Sequence, residues 1–122
     1  MTFARRLFFL AAIYGIVGLV PQYFLEAKNG RDHPPAINHP EYYYGFLGVA
    51  LAFQFLFLLI ARDPPRYRLA MIPGALEKLG FGGAAVVLWL QGRLDMPMIA
   101  FGCVDIAFAL LFLVAFARTP EP

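Results

Sequence analysis

The chain has 122 residues, of which 61% are hydrophobic and 15% are charged, and its single cysteine is Cys103. Soluble domains are about 45–50% apolar, so this composition excludes an ordinary water-soluble core, and one cysteine excludes an internal disulfide or a multi-cysteine metal site. The formal net charge of +2 is too small to indicate a nucleic-acid partner.

Four apolar segments divide the chain, and each is close to the roughly 20 residues that a helix needs to cross the hydrocarbon of a bilayer. They cover residues 7–25, 43–61, 72–90 and 98–117. Because lipid offers no hydrogen-bond partner to an open backbone, spans of this length must be helical. The sequence therefore predicts an all-α fold, a single integral membrane domain over residues 1–122 built as a four-transmembrane-helix bundle, with an outer loop over residues 26–42.

Prolines mark several limits of these helices. Pro21 lies inside the first segment and predicts a kink or an early end to regular helix. Pro64 and Pro65 should end the second helix, since proline lacks the N–H donor and restricts the residue before it. Pro73 suits the first turn of the third helix, where a missing N–H costs nothing.

Small residues recur along each segment at spacings that allow helices to pack closely in lipid. The stripes are Gly15 with Gly18, Gly45 with Gly48 and Ala52, Gly80 with Ala84, Gly82 with Ala85, and Gly102 with Ala109. We expect these faces to contact other helices, either within one chain or across an oligomer.

Lysine and arginine are unequally shared between the two sides of the predicted bundle. One side holds Arg5, Arg6, Arg62, Arg66, Arg68 and Arg118, and the other holds Lys28, Arg31 and Arg93. The side richer in these residues usually faces the cytoplasm. The distribution therefore predicts that both termini are cytoplasmic.

Asp105 is the most informative polar residue, because a carboxylate inside a span normally faces the bundle interior and finds a partner. It shares a helical face with Gly102 and Ala109, so we expect it to point toward other helices. Its expected neighbours are Gln22, Tyr23, and Tyr43 or Tyr44. Two interpretations stay open: a proton-accepting or ligand-orienting carboxylate, or a paired aspartate that ties helices together. Glu77 is expected near the opposite face of the membrane.

Glu77 and Lys78 lie near the start of the third helix, and as neighbours in sequence they point about 100° apart. We expect Lys78 to extend its ammonium toward the headgroups. Gln54, and Arg66 or Arg68, are the expected partners of Glu77. The alternative is that Glu77 only complements the positive end of the helix dipole.

The outer loop brings two histidines and two carboxylates close together in sequence: Asp32, His33, His39 and Glu41. Their spacing fits no metal-binding template, so we predict neither a metal site nor a cofactor. His39 and Glu41 are candidates for a lid over Asp105, and a solvated loop is the alternative. Tyr43 follows at the membrane boundary, a level that tyrosine favours, and it remains a candidate ligand contact.

Three stretches carry a resemblance: His39-Pro40-Glu41-Tyr42-Tyr43-Tyr44-Gly45-Phe46, Ala61-Arg62-Asp63-Pro64-Pro65-Arg66-Tyr67-Arg68, and Glu77-Lys78 together with Asp105. They resemble a group of small uncharacterised bacterial four-helix membrane proteins that is loosely similar to DoxX-like proteins. The resemblance implies a multi-pass bundle in a bacterial inner (cytoplasmic) membrane, and it implies no substrate.

Three functions are compatible with this pattern, and it favours the first, which needs only packing faces and a few buried polar groups. The first is a bundle that binds a hydrophobic small molecule or lipid, or acts as an accessory to a larger membrane complex. The second is a homo-oligomeric transporter or channel that uses Asp105 and Glu77. The third is a small membrane enzyme acting on a lipid or isoprenoid. The expected surroundings are membrane lipids, and no nucleic acid is expected.

Overall fold

The computed structural model describes residues 2–122, and within them the regular structure is entirely helical. The α-helices are α1 (Phe3–Leu19), α2 (Glu26–Asp32), α3 (Pro40–Arg62), α4 (Met71–Leu90) and α5 (Met98–Arg118), with short 3-10 segments at Val20–Phe24 and Arg68–Ala70. Four candidate spans, built on α1, α3, α4 and α5, are long and apolar enough to cross a membrane. The prediction of an all-α bundle with four such helices is confirmed.

The helix ends depend on local chemistry. Helix α1 begins before the apolar segment, because the Thr2 hydroxyl accepts a hydrogen bond from the backbone N–H of Arg5 and caps the first turn. Regular α-helix then stops at Leu19, and a 3-10 turn with Pro21 near its start follows. The early end predicted from Pro21 is confirmed.

The segment predicted as an outer loop, residues 26–42, is a loop only over residues 33–39. Helix α2 occupies Glu26–Asp32, and α3 already begins at Pro40. An ion pair between Lys28 and Asp32 spans one turn of α2, a spacing that supports a helix. Pro40 can open α3 because the first residue of a helix has no use for its N–H.

The four long helices form a ring. The most extensive contacts join α1 to α3 and α4 to α5, and further contacts join α5 to α1 and α3 to α4. The Arg118 guanidinium lies 5.4 Å from the centre of the Phe3 ring, so the first and last helical residues share one end of the bundle. We call this the terminal end, and the end that carries α2 and the α4–α5 connection the loop end.

Aromatic residues from three helices form the core in the terminal half of the bundle. Phe8, Phe57 and Phe112 are fully buried. The rings of Phe8 and Phe112 stack with centroids 4.1 Å apart, and Phe57 meets Phe112 edge-on at 5.1 Å. The surrounding aliphatic residues come from α1, α3, α4 and α5. This core holds all four long helices together in the terminal half of the bundle.

Helices α4 and α5 approach most closely at glycines. A Cβ atom on Gly82 would lie 2.8 Å from the Gly102 carbonyl oxygen, and one on Gly102 would lie 2.5 Å from the Ala85 Cβ. Gly82, Ala85, Gly102 and Ala109 are all buried, so these two predicted packing stripes are confirmed.

Other predicted packing faces are largely exposed and contact no other long helix closely. Gly45, Gly48 and Ala52 are exposed on α3, as are Gly80 and Ala84 on α4. Helix α4 instead turns the face that carries Lys78 and Gly82 into the bundle. Gly18 is also exposed, whereas its neighbour in the α1 stripe, Gly15, is buried.

A buried ion cluster as the candidate functional site

Lys78 is buried in the bundle, with only 4% of its side chain exposed. Its ammonium lies 5.4 Å from the ring centre of Phe57 and 5.6 Å from that of Phe108, distances at which an aromatic ring attracts a cation. The prediction that Lys78 reaches the headgroups is wrong. It lies on the same face of α4 as Gly82, which packs against α5, so its side chain is held between helices.

Two carboxylates flank this ammonium. The Lys78 Nζ atom lies 3.6 Å from Asp105 Oδ1 and 3.8 Å from Glu77 Oε2. Asp105 and Glu77 expose only 13% and 15% of their side chains. The expectation that the two carboxylates lie near opposite faces of the membrane is therefore wrong. They share one lysine and belong to one site, here called the ion cluster: Glu77, Lys78 and Asp105.

The antiparallel pairing of α4 and α5 explains this meeting. Lys78 is the eighth residue of α4 and Asp105 is the eighth residue of α5. At about 1.5 Å per residue, each lies about 10 Å from the start of its own helix, and the two starts are at opposite ends of the bundle. In spans of about 30 Å this leaves both residues near the middle, within reach of the long lysine side chain.

The neighbours expected for Asp105 lie elsewhere. The Tyr43 hydroxyl donates a hydrogen bond to the Gln22 carbonyl oxygen at 2.6 Å and accepts one from Asn29 Nδ2 at 2.9 Å. This network ties α2 to the loop end of α3. The tyrosine on this side of α5 is Tyr14 of α1, whose ring lies 5.6 Å from that of Phe108, one helical turn after Asp105.

Gln54 and Arg68 do not contact Glu77, so that expectation is wrong for both. Gln54 is 1% exposed. Its amide donates to the Ala50 carbonyl oxygen at 2.8 Å, and its Oε1 has no hydrogen-bond partner in the part of the chain that the structure describes. It packs against Gly15 so closely that an added Cβ there would overlap with Gln54 Oε1. Gln54 therefore belongs to the α1–α3 contact.

Arg68 and Arg66 act at the terminal end instead. Arg68 Nε donates to the backbone carbonyl oxygens of Phe116 at 3.1 Å and Thr119 at 2.7 Å. Its guanidinium also lies 3.8 Å from the centre of the Phe116 ring. Arg68 thereby satisfies carbonyls at the end of α5 that have no partner within the helix. Arg66 lies over the Tyr67 ring at 5.5 Å.

The histidines of the outer segment form separate exposed pairs. His39 Nδ1 lies 3.1 Å from Glu41 Oε1, and His33 Nδ1 lies 3.3 Å from Asp95 Oδ2. The side chains of His39 and Glu41 are 60% and 65% exposed, so they do not cover Asp105 as a lid. Across residues 2–122, no three His, Cys, Asp or Glu side chains are grouped so that they could hold a metal.

The ion cluster carries unequal charge. With every group ionised, two carboxylates and one ammonium sum to −1. Glu77 Oε2 is buried and has no hydrogen-bond partner within the described chain. Such a site can accept a proton or exchange its ion-pair partners.

Sequence reasoning missed three members of this site: Tyr14, Phe57 and Phe108. Tyr14 was identifiable as a polar group within the first apolar segment, and Phe108 lies one helical turn after Asp105. Phe57 could not be identified in this way, because nothing in the sequence sets it apart from the other phenylalanines, of which the chain has 13 in all. Only the packing of α3 on α4 brings it to the site.

No protein-family model matches the chain, and neither a curated protein nor a solved structure matches it. The resemblance to small four-helix bacterial membrane proteins stays a prediction. The chemistry of the ion cluster therefore rests on the geometry of its own side chains.

Proposed function

We propose that the protein is a homo-oligomeric membrane transporter or channel, with the ion cluster as its station for a cation. The observation that carries this proposal is the meeting of Glu77, Lys78 and Asp105 around one ammonium, at 3.6 and 3.8 Å, near the middle of the span. Ionisable groups at that depth are costly in hydrocarbon, and they commonly mark ion pathways and proton relays.

The cluster is not needed to hold its two helices together. Gly82, Ala85 and Gly102 already bring α4 and α5 into close contact on the loop side, and the phenylalanine core does so on the terminal side. Replacing a buried ion pair by apolar residues is often neutral or stabilising. The presence of one buried lysine and two largely buried carboxylates between two well-packed regions favours a function for them.

An oligomer supplies the space that one chain lacks. Four helices with an aromatic core enclose little volume, and the small-residue faces of α3 and α4 are open to a neighbouring copy. We place this assembly in a bacterial inner membrane with both termini in the cytoplasm, in keeping with the distribution of Lys and Arg and with the resemblance.

Ion flux into vesicles tests the proposal. The full chain is reconstituted, and inward gradients of H⁺, Na⁺ and K⁺ are imposed in turn while a trapped indicator follows each ion. We expect flux of at least one of these ions, with an at least tenfold loss in Asp105→Asn. Asp95→Asn is the matched control, because Asp95 lies in the exposed α4–α5 connection with 65% of its side chain exposed.

Two outcomes contradict the transport proposal. One is the absence of flux for all three ions in the unmodified protein. The other is equal flux in Asp105→Asn and Asp95→Asn. A monomeric mass in both detergent and nanodiscs contradicts the oligomeric part.

A second candidate is a bundle that binds a lipid or hydrophobic ligand, or serves as an accessory to a larger complex. It is favoured by the exposed stripe of Gly45, Gly48 and Ala52 on α3, because such faces admit close approach of another helix or an acyl chain. Native mass spectrometry from nanodiscs tests it. A retained lipid, or a partner subunit lost in Gly48→Leu, supports this candidate, and bare protein contradicts it.

A further inference from the structure

The charges around Lys78 can be counted from every helix that faces it. Helix α4 supplies Glu77 and Lys78 itself, and α5 supplies Asp105. Helix α1 supplies Tyr14, whose ring packs on that of Phe108 and whose phenol is uncharged at pH 7, and α3 supplies the uncharged ring of Phe57. With both carboxylates ionised, the cluster has one more negative than positive charge.

An uncompensated charge in a medium of low polarity is unfavourable, and a titratable group in such a place tends to become neutral instead. We infer that the ion cluster holds one exchangeable proton per chain, carried on its carboxyl groups, and that the ion of the proposed transport is therefore a proton. This inference rests on the proposed function only in naming the transported ion. The proton count itself is independent of transport.

The two carboxyls are not equivalent. Asp105 Oδ1 is nearer to the ammonium, at 3.6 Å, whereas Glu77 Oε2 is at 3.8 Å and is buried without a hydrogen-bond partner among residues 2–122. A proton on Glu77 leaves the Lys78–Asp105 pair intact. In this step a hydronium ion from the aqueous phase gives up one proton and becomes water, a lone pair of the carboxylate forms the new O–H bond, and the cluster changes from a net charge of −1 to zero.

A proton fits this site better than a metal ion does. Calcium takes about six to eight oxygen ligands and magnesium about six, at little more than 2 Å. Here the ammonium of Lys78 lies within 4 Å of both carboxylates and would repel a second cation. One proton needs only one oxygen atom, and Glu77 Oε2 is such an atom.

Infrared spectroscopy counts these protons directly, through the C=O stretch of protonated carboxyl groups. Exposed Asp and Glu are ionised at pH 7, since their ordinary pKa values are about 4. The protein in nanodiscs at pH 7 should therefore show one such band per chain. Its position should shift on transfer from H₂O to D₂O.

The charge count predicts the area of the carboxyl C=O band in each variant. Glu77→Gln and Asp105→Asn each leave one carboxylate and one ammonium, so the band should disappear in both. Lys78→Met leaves two carboxyls with no cation, so its band area should double. Glu41→Gln is the matched control, because Glu41 is 65% exposed, and it should keep the unmodified band.

Absence of the band in the unmodified protein overturns the inference, as does its persistence in both Glu77→Gln and Asp105→Asn. These two variants preserve side-chain shape, so the test holds even if Lys78→Met does not fold. If the band area in each variant agrees with the charge count but no ion flux is seen, the proton site is supported and the transport function is contradicted. If flux is seen for Na⁺ or K⁺ and the band is absent, the transport function is supported and the bound proton is contradicted.

Discussion

The closest approach of α4 and α5 makes a sharp prediction about Gly82. In Gly82→Ala the new Cβ would lie 2.6 Å from Ile106 Cγ1 and 2.8 Å from the Gly102 carbonyl oxygen. The isoleucine side chain can rotate, but the carbonyl belongs to the backbone of α5 and moves only with the helix. The substitution should therefore push α5 away from α4, on the helix that carries Asp105.

Gly83→Ala is the matched control on the same helix. A Cβ on Gly83 meets nothing within 4 Å, so only the better helix propensity of alanine remains, up to about 1 kcal/mol. Forcing an extra methyl group into a packed contact costs about 1–3 kcal/mol. Because both variants gain the same propensity, Gly82→Ala should be less stable than Gly83→Ala by about 1–3 kcal/mol.

Reversible unfolding in mixed micelles, followed by circular dichroism, measures that difference. The two variants are compared under one set of conditions, so any effect of the detergent on the unfolded state is shared. Equal stability of Gly82→Ala and Gly83→Ala would refute the close α4–α5 contact and, with it, the geometry that brings Asp105 to Lys78.

Two further predictions concern the core and the outer segment. Phe8→Ala should lower the free energy of unfolding by about 3–5 kcal/mol in the same assay. Phe9→Ala should have a much smaller effect, because Phe9 is 51% exposed, and similar losses in the two variants would contradict the phenylalanine core. In α2, the hydrogen bond and positive charge of Lys28 lower the pKa of Asp32, so the stabilisation of α2 is present above the ordinary pKa and is lost as pH falls through the lowered value. Amide hydrogen exchange in α2 should accelerate over that acid range, and this pH dependence should be absent in Lys28→Met. If Lys28→Met keeps the same pH dependence, the Lys28–Asp32 pair is not what stabilises α2.

The sequence predicted the fold well because membrane crossing imposes a length and a composition that are readable without tertiary contacts. The apolar segments gave the four long helices, and Pro21 gave the early end of α1. Helix α2 was missed because it is short and polar and is stabilised by contacts such as that of Asn29 with Tyr43. Such contacts are not visible as periodicity.

The site was only partly predictable. Glu77, Lys78 and Asp105 were selected as charged residues inside apolar segments, a local property of the sequence. Their meeting was not predicted, because it depends on which face α4 turns toward α5. Both the Gly80–Ala84 stripe and the Gly82–Ala85 stripe were eligible for that contact. Because the Gly82 stripe is the one that packs against α5, Lys78 points into the bundle, and the ammonium of Lys78 does not lie at the membrane surface as expected.

A charge exchange between Lys78 and Asp105 tests the central claim, that these two residues form one ion pair inside the bundle. Lys78→Asp alone removes the cation from the pair, and Asp105→Lys alone places two cations side by side, so each single variant should be strongly destabilised. In the double variant the opposite charges face each other again, and residues in contact typically couple by about 0.5–3 kcal/mol. We predict that unfolding measurements will show the double variant to be more stable than the sum of the single effects by an amount in that range. Strict additivity of the two substitutions would contradict the ion cluster.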